Sequence, residues 1–517
     1  MTACGRAVVM IGFMGAGKSS AARSAAEKLG TEAVDVDRVI EQRLGKPIVR
    51  VFSEDGERAF REAEERITLE LLNRFGPGVL ALGGGAVASP RVQEALVDHL
   101  VVWIDVDVET AWERSQGTGR PLARERVAFG RLFEGREPLY AQLADVVVPG
   151  ERSQAMATVL DALQGLPAGR SSGAVPGTKL LWAAGASGDY PAYVGPRLLS
   201  SGFWPHTGSG RRFLVTDGNV GRLYGEKVAP LAARVAIMPG EQSKTIAHAE
   251  IVWTELARAG MTRHDLVVAL GGGVVGDLAG FCAATFQRGV RHIQVPTSLV
   301  AQVDSAYGGK TGVDLPEAKN YVGAYHQPIA VIADCDALAT LPAAELAAGY
   351  AEVVKAALIA GGELWEQVRA GADPAAPEVI AACVRTKLRI VAKDERDRGV
   401  RQVLNLGHTV GHAIEAVTGY ATYRHGEAVA LGLLAALRLS GQDQLRAEAA
   451  DLFAARGLPV TLDGADPDAV VMATARDKKR VGEGPVPFVL LNAPGQPLAG
   501  CAVPARELLA AVRELAG

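Results

Sequence analysis

The sequence predicts an α/β protein in two parts: a parallel-sheet domain, then a second α/β domain followed by an all-helical one. Three observations predict it. Short apolar runs alternate with helical patterns through the first third of the chain, and a Gly-, Pro- and Ser-rich stretch then interrupts them. Alternation resumes after that stretch, and from Leu341 long helical periodicities take over. At roughly 150 residues per domain, 517 residues suggest about three globular units.

In order, AVVMIGF, AVDVD, VLALGGG, LVVWIDV and ADVVV are strand-like, with helical patterns such as SSAARSAAEKLG between them. Strands alternating with helices imply βαβ units and a parallel sheet. An amphipathic piece ends near Leu166, and PAGRSSGAVPGTK follows as a linker. The expected boundaries are 1–165, a linker at 166–178, an α/β domain at 179–340 and a helical domain at 341–517. KLLWAA, RRFLVTD, RVAIMPG, DLVVALGGG, HIQVP and PIAVIAD are the strands of the second sheet. AELAAGYAEVVKAALIA, EVIAACVRTKLRIVAKDE, HTVGHAIEAV and GEAVALGLLAALRLS are the later helices. The cleft between two such domains is a favoured place for a ligand.

Composition excludes several classes. The chain is 48% hydrophobic and 22% charged, which suits real cores and not disorder. Its 54 Lys+Arg against 58 Asp+Glu leave a net charge of −4, without an electrostatic footprint for nucleic acid or an anionic membrane. Arg6 with the apolar stretch Ala7–Gly17 imitates a signal peptide, but Lys18 ends that stretch inside a better motif. The apolar segment Leu266–Phe286 is broken by Gly271, Gly272, Gly273, Gly276 and Gly280, so no membrane segment is expected. Five scattered cysteines without CxxC suit a reduced, cytoplasmic enzyme. Glycine stands at about 12% (60 of 517), against about 7% in ordinary proteins, and the surplus belongs in turns and ligand-approach loops.

The first such loop is Gly12-Phe13-Met14-Gly15-Ala16-Gly17-Lys18-Ser19, which fits GxxxxGK[ST] after a strand and before a helix. A bare Gly-rich turn is the bland alternative, and that context weighs against it. The fit makes the first domain P-loop NTPase-type. Gly15, Ala16, Gly17, Lys18, Ser19 and Ser20 would cradle the phosphates of ATP, Lys18 reaching the β/γ-phosphates and Ser19 holding Mg²⁺. Asp35 and Asp37, two apart at a strand end, project from one face. Alone they are a solvated strand end; beside a phosphate loop, one assists the metal and the other accepts from a substrate hydroxyl. Arg61, Arg120 and Arg136 are each surface-like alone, yet together suit a small carboxylate and a transferring phosphate. Gly83-Gly84-Gly85 lets backbone approach a ligand closely.

GFMGAGKS, the DVD pair, DGERAFR, LGGGAV, GRPLA and REPLY, in this order, resemble shikimate kinase over about residues 5–165. The resemblance implies an ATP- and Mg²⁺-dependent kinase in which Asp37, Arg61, Gly84 and Arg136 bind shikimate. Arg120 would sit in a lid over ATP that excludes water, and Asp35 near Mg²⁺.

In the second part, DLVVALGGGVVGDLAG runs a strand into Gly271-Gly272-Gly273, then Gly276 and Asp277. It is like a pyrophosphate-binding turn without being GxGxxG. Asp217 in FLVTDGN suits an adenosine ribose or, equally, an Asp-Gly turn. Glu352, His408 and His425 make two His and one carboxylate, a recognised open Zn²⁺ set, although a lone buried His is more often a satisfied core residue. His408 and His412 are i, i+4 on one helix face, without the Glu of HExxH. Lys310, Lys319, Lys355, Lys387, Lys479, Arg288 and Arg401 together suit an anion cage, though each alone reads as surface.

PGEQSKT, GGGVVGDLAGF, QVPTSLVAQVDSAYGGKTGVD, KNYVGAYHQP, GYAEVVK, LNLGHTVGHAIE, HGEAVALG and DKK follow the order of 3-dehydroquinate synthase, which the chain resembles over about residues 180–500. That resemblance implies an NAD-binding α/β domain and a metal-binding helical domain, with Zn²⁺ or Co²⁺ on Glu352, His408 and His425. It places NAD near Asp217, Asn219, Glu241, Lys244, Gly273, Val274, Val275, Gly276, Asp277, Thr297, Ser298, Lys310, Lys319 and Thr340. Asp304, Asn320, Lys355, Lys387, Arg401, Asn405, His412 and Lys479 would hold substrate, and Arg288 would reach a neighbouring subunit of a homodimer. It further implies a transient oxidation at C5 that acidifies the adjacent C–H, loss of phosphate, return of the hydride, then ring opening and aldol closure. The chain departs from the pattern at Pro296-Thr297-Ser298, at Ala306-Tyr307, and at Asp397, where Glu is usual.

The expectation is a bifunctional enzyme of the shikimate pathway acting on small molecules. Three rivals stand beside it. Another sugar-phosphate cyclase keeps the chemistry but leaves the kinase half unexplained. A metal-dependent alcohol dehydrogenase has no need of the cation cage and would produce NADH. A non-catalytic kinase-like module would not need intact Lys18, Ser19, Asp37 and Arg136.

Overall fold

The computed structural model describes residues 6–74, 76, 78–117, 121–164, 177–316, 318–474 and 486–516. It divides into two units, Met1–Ala184 with Asp189–Gly208, and Gly185–Gly188 with Ser209–Gly517.

The first unit is built on β1 (Val8–Ile11), β2 (Ala33–Asp35), β3 (Val79–Ala81), β4 (Leu100–Asp105), β5 (Val146–Pro149), β6 (Lys179–Ala183) and β7 (Tyr190–Gly195). Their order is β2-β3-β1-β4-β5-β6-β7, parallel except for the β6–β7 hairpin. Every residue of β1 is buried, as expected of a strand covered on both faces. Around it lie α1 (Lys18–Leu29), α2 (Gly56–Arg74) and α3 (Arg126–Leu143). Helix α1 buries four alanines, Ala21, Ala22, Ala25 and Ala26, and ends at Gly30 in the left-handed region.

The sequence reading starts the second domain at residue 179, and the first compact unit includes strands β6 and β7. Strand β6 registers on β5, Leu180 opposite Val146 and Leu181 opposite Val147. Lys179 Nζ donates to the carbonyls of Ala141 and Ala144, and the Tyr193 hydroxyl donates to Ala162 O at 2.7 Å. The open edge of β5 needs a partner strand, and β6 supplies it.

The second unit contains β8 (Arg212–Asp217), β9 (Ala233–Ile237), β10 (Leu266–Gly271), β11 (Arg291–Pro296), the hairpin β12 (Lys310–Leu315) and β13 (Ala318–Tyr325), and β14 (Ala330–Asp334). The order β14-β11-β10-β8-β9 is parallel. Helix α4 (Gly273–Thr285) follows β10 directly and packs Leu278 and Phe281 into a core with Phe213, Val215 and Val267. Helices α5 (Ala343–Ala360), α6 (Pro377–Lys393), α7 (His408–Val417) and α8 (His425–Leu439) form the centre of the helical part. Helix α8 is buried almost all round, the mark of a central helix.

That part is not all-helical. An antiparallel hairpin, β15 (Phe488–Leu491) and β16 (Pro497–Cys501), interrupts it. The signal was Asn492-Ala493-Pro494-Gly495-Gln496, a reversal closed by Asn492 N–H to Gln496 O at 3.1 Å. Among the described residues no helix is long and apolar enough to cross a membrane.

Candidate active sites

In the first unit the loop between β1 and α1 holds Gly12, Gly15 and Gly17 at φ of 140°, 80° and 102°. A Cβ at Gly12 would stand 2.5 Å from Ile104 O, and one at Gly15 2.8 Å from Ala111 O. Only glycine combines those torsions with that approach. Lys18 Nζ donates to the carbonyls of Gly12 and Phe13, each at 3.0 Å, so the loop curls around its own lysine. Ser19 Oγ donates to Asp35 Oδ2 at 2.7 Å, and Asp35 Oδ1 accepts from Asp37 N–H at 3.2 Å.

Two cavities meet at these side chains. One, of about 280 Å³, is lined by Gly15, Gly17, Lys18, Ser19, Ser20 and Arg114. The other, of about 320 Å³, is lined by Arg61, Glu64, Gly83, Gly84 and Arg136. Ser19, Asp35 and Asp37 line both. Arg61 donates to Glu64 Oε2 at 2.5 Å, and Arg136 is buried with its guanidinium 5.8 Å from the Phe13 ring centre. Burial lowers Arg136 from its usual value, and Tyr140 beside it works the other way. The Tyr140 hydroxyl donates to Gly84 O at 2.6 Å and fixes the glycine loop. Sequence reasoning missed Glu64 and Arg114. Glu64 lies one helical turn from Arg61, a spacing that could have marked it. Arg120 lies outside the described residues.

In the second unit a cavity of about 890 Å³ opens at the carboxyl ends of β8 and β10. Its lining brings together Asp217, Asn219, Glu241, Gly273, Val274, Val275, Thr297, Ser298, Lys319 and Thr340, ten of the residues the sequence suggested for NAD, and adds His425. Asp217 Oδ1 accepts from the N–H groups of Asn219 and Val220. Four expected residues, Lys244, Gly276, Asp277 and Lys310, do not line it. Lys244 is buried and pairs with Asp277 at 2.7 Å. Burial alone would lower Lys244, but Asp277 and Glu241 raise it above its ordinary value. Gly276 serves packing, since a Cβ there would stand 2.8 Å from Gln294 Oε1.

Glu352 on α5 meets the histidines that begin α7 and α8. Its Oε1 lies 3.5 Å from His408 Nε2 and 3.4 Å from His425 Nε2. The carboxylate is fully buried, and Oε1 has no hydrogen-bond partner. His408 Nδ1 lies 3.2 Å from Leu406 O and His425 Nδ1 3.3 Å from Glu415 Oε2. Each contact suits an N–H at Nδ1, which leaves both Nε2 atoms turned toward Glu352. Two imidazoles and a carboxylate with atoms inside 4.8 Å fit a divalent cation of the zinc type. Burial opposes charge on His425, yet Glu352 and Glu415 raise it to about 10, and the same field favours a cation.

Beside this triad, Lys355 and Lys387 converge on Asp304. Lys387 Nζ is 2.5 Å from Asp304 Oδ1, Lys355 Nζ is 3.5 Å from Oδ2, and Lys355 also pairs with Glu352. Burial pushes Lys387 down to about 8 against the pull of Asp304. Lys310 pairs with Asp397, the residue standing where Glu was expected. Arg401 is buried and donates to Gly308 O at 3.1 Å and Glu395 O at 2.5 Å, so it braces the Gly308-Gly309-Lys310 turn. Asn320 stands at φ 54° with its N–H on Asp314, Asn405 is half-buried before α7, and Arg288 is exposed at φ 68°. The His412 ring centre is 5.3 Å from that of His408. Lys479 lies outside the described residues. Sequence reasoning missed Glu415, whose spacing from His408 and His412 on α7 was the available signal.

Fold and sites define a P-loop enzyme domain joined to an α/β enzyme that sets a His₂Glu cluster able to hold a cation beside a cavity of about 890 Å³. The family profile of shikimate kinase matches residues 14–166. Those of the N- and C-terminal parts of 3-dehydroquinate synthase match 234–348 and 349–480. The 3-dehydroquinate synthase of Symbiobacterium thermophilum is 45% identical, over 59% of this chain and 92% of that one. That of Caulobacter vibrioides is 42% identical, over 59% and 90%. A crystal structure of 2-deoxy-scyllo-inosose synthase with carbaglucose-6-phosphate, NAD⁺ and Co²⁺ is similar at TM-score 0.58 and 26% identity, over 65% of this chain and 99% of that one. A 2-epi-5-epi-valiolone synthase from Streptomyces hygroscopicus with NAD⁺ and Zn²⁺ bound matches at 0.58 and 28%, over 63% and 96%. The chain belongs to the 3-dehydroquinate synthase family and carries a shikimate kinase domain ahead of it, which makes it a bifunctional enzyme of the shikimate pathway.

Proposed function

We propose that the first unit phosphorylates shikimate with ATP and Mg²⁺. The second converts 3-deoxy-D-arabino-heptulosonate 7-phosphate to 3-dehydroquinate and phosphate with NAD and Zn²⁺ or Co²⁺. The observation that carries the reading is the convergence of Glu352, His408 and His425 at the edge of the dinucleotide cavity, with Lys355 and Lys387 beside it.

In the kinase site Lys18 and the loop N–H groups hold phosphate oxygens, and Ser19 with Asp35 faces the metal. Asp37, lining both cavities, accepts the proton of the substrate hydroxyl. Arg61 and Arg136 grip the substrate carboxylate.

In the synthase site the bound cation and NAD supply polarisation and reversible oxidation of the C5 hydroxyl. Lys355 and Lys387, held on Asp304, orient the anionic substrate and stabilise charge on the departing phosphate. Arg401 acts through the turn it braces, and His412 moves a proton near the cation site. Arg288, exposed on the second unit, supports a homodimer through the synthase half, which light scattering tests. Cys282, Cys383 and Cys501, buried or half-buried as thiols among the described residues, support a reducing, cytoplasmic setting.

The test is a double dissociation on the full chain. Lys18→Met should abolish ADP formation from ATP plus shikimate and keep phosphate release from the heptulosonate phosphate. Glu352→Gln should do the reverse. Either variant losing both activities, or neither, rejects the assignment.

A further inference from the structure

Glu415 is 2% exposed, and its two oxygens serve different masters. Oε2 faces Nδ1 of the cation-site residue His425 at 3.3 Å, while Oε1 accepts from Lys319 Nζ at 3.0 Å. His425, Glu415 and Lys319 all line the dinucleotide cavity. Lys319 has a second, looser carboxylate in Glu241 at 3.9 Å, so it is not held by Glu415 alone.

We propose that Glu415 is a positioning residue that couples cation binding to dinucleotide binding. The inference rests on the function proposed above. A divalent cation that takes the place of the proton on His425 Nε2 puts more positive charge beside the ring, makes the Nδ1–H a stronger donor and draws the charge of Glu415 toward the imidazole. Lys319 is then less neutralised and more available to the phosphates of a dinucleotide. Conversely, a phosphate on Lys319 leaves the full carboxylate charge to His425. The two ligands therefore favour each other, and linkage makes the effect reciprocal.

The experiment measures Zn²⁺ affinity of the full chain against a chromophoric chelator, with and without saturating NAD. In the native chain NAD should tighten Zn²⁺ by about fivefold or more. Glu415→Gln should weaken Zn²⁺ by about 10- to 100-fold and bring the NAD-dependent ratio to about one. Lys319→Met should also abolish the ratio while leaving Zn²⁺ affinity without NAD at or above the native value, a result that plain structural damage would not give. A native ratio of about one, or a ratio retained in either variant, overturns the coupling. A native chain that takes up no Zn²⁺ at all overturns the cation-site reading itself, which is a distinguishable failure. If Glu415→Gln loses its far-ultraviolet circular dichroism, the Lys319→Met arm decides alone.

Discussion

Lys387 donates twice to Asp304, from Nζ to the side-chain Oδ1 and to the backbone carbonyl, each at 2.5 Å. Burial nevertheless pushes this lysine down to about 8. Phosphate release, measured as kcat/KM, should therefore fall as pH rises through about 8, where the cation is lost. Lys387→Arg should move that limb up by more than about one pH unit. Stability moves the other way. The unfolded lysine titrates near 10.4, so between about 8 and 10.4 the unfolded state binds more protons, and the contribution of Lys387 to stability rises with pH. Urea midpoints across that window check the sign.

Asp304→Asn should leave Lys355 and Lys387 without their shared counter-charge. Removing one member of a buried ion group costs about 3–5 kcal/mol. The urea midpoint of the second unit should fall, and adding Lys387→Met should recover part of the loss. No fall would show that the carboxylate is not the anchor.

Gly83→Ala probes the kinase wall. A Cβ there would stand 2.5 Å from Glu64 Oε1 and 2.7 Å from Asp37 Oδ1, so one or both carboxylates must shift. Displacing a positioned group by about 1 Å costs up to about 100-fold. KM for shikimate should rise about 10- to 100-fold, with KM for ATP unchanged; equal rises would point to general damage.

Stripping the chain with a zinc-selective chelator in excess Mg²⁺ should end phosphate release and spare ADP formation. Added Zn²⁺ or Co²⁺ should restore the first activity. Loss of both under these conditions would mean that the kinase also depends on the His₂Glu site.

Much of this architecture was legible because its signals are local. The loop from Gly12 to Ser19 carries its own torsional demands, and the apolar period of β1 to β5 needs no partner to be seen. The triad was legible for a different reason: His408 and His425 each open a helix within a Gly-His phrase. What escaped was non-local. Nothing near Lys244 announces that Asp277 will face it, and nothing near Arg401 announces that it braces Gly308. Helical spacing could have marked Glu64 beside Arg61 and Glu415 beside His412, but nothing local announces that a second element brings Gly83 or Lys319 alongside them. The β15–β16 hairpin was missed because long helical runs on the N-terminal side outweighed a short turn.

The pairing of β6 with β5 has a practical corollary for anyone dividing the protein. Severing the chain at residue 166, where the kinase profile stops, would strip the neighbour from Val146 and Val147 and bare an apolar strand edge. Such an edge recruits other copies of itself. The detached fragment would cluster before it could be assayed, and its silence would say nothing about the chemistry of the intact enzyme.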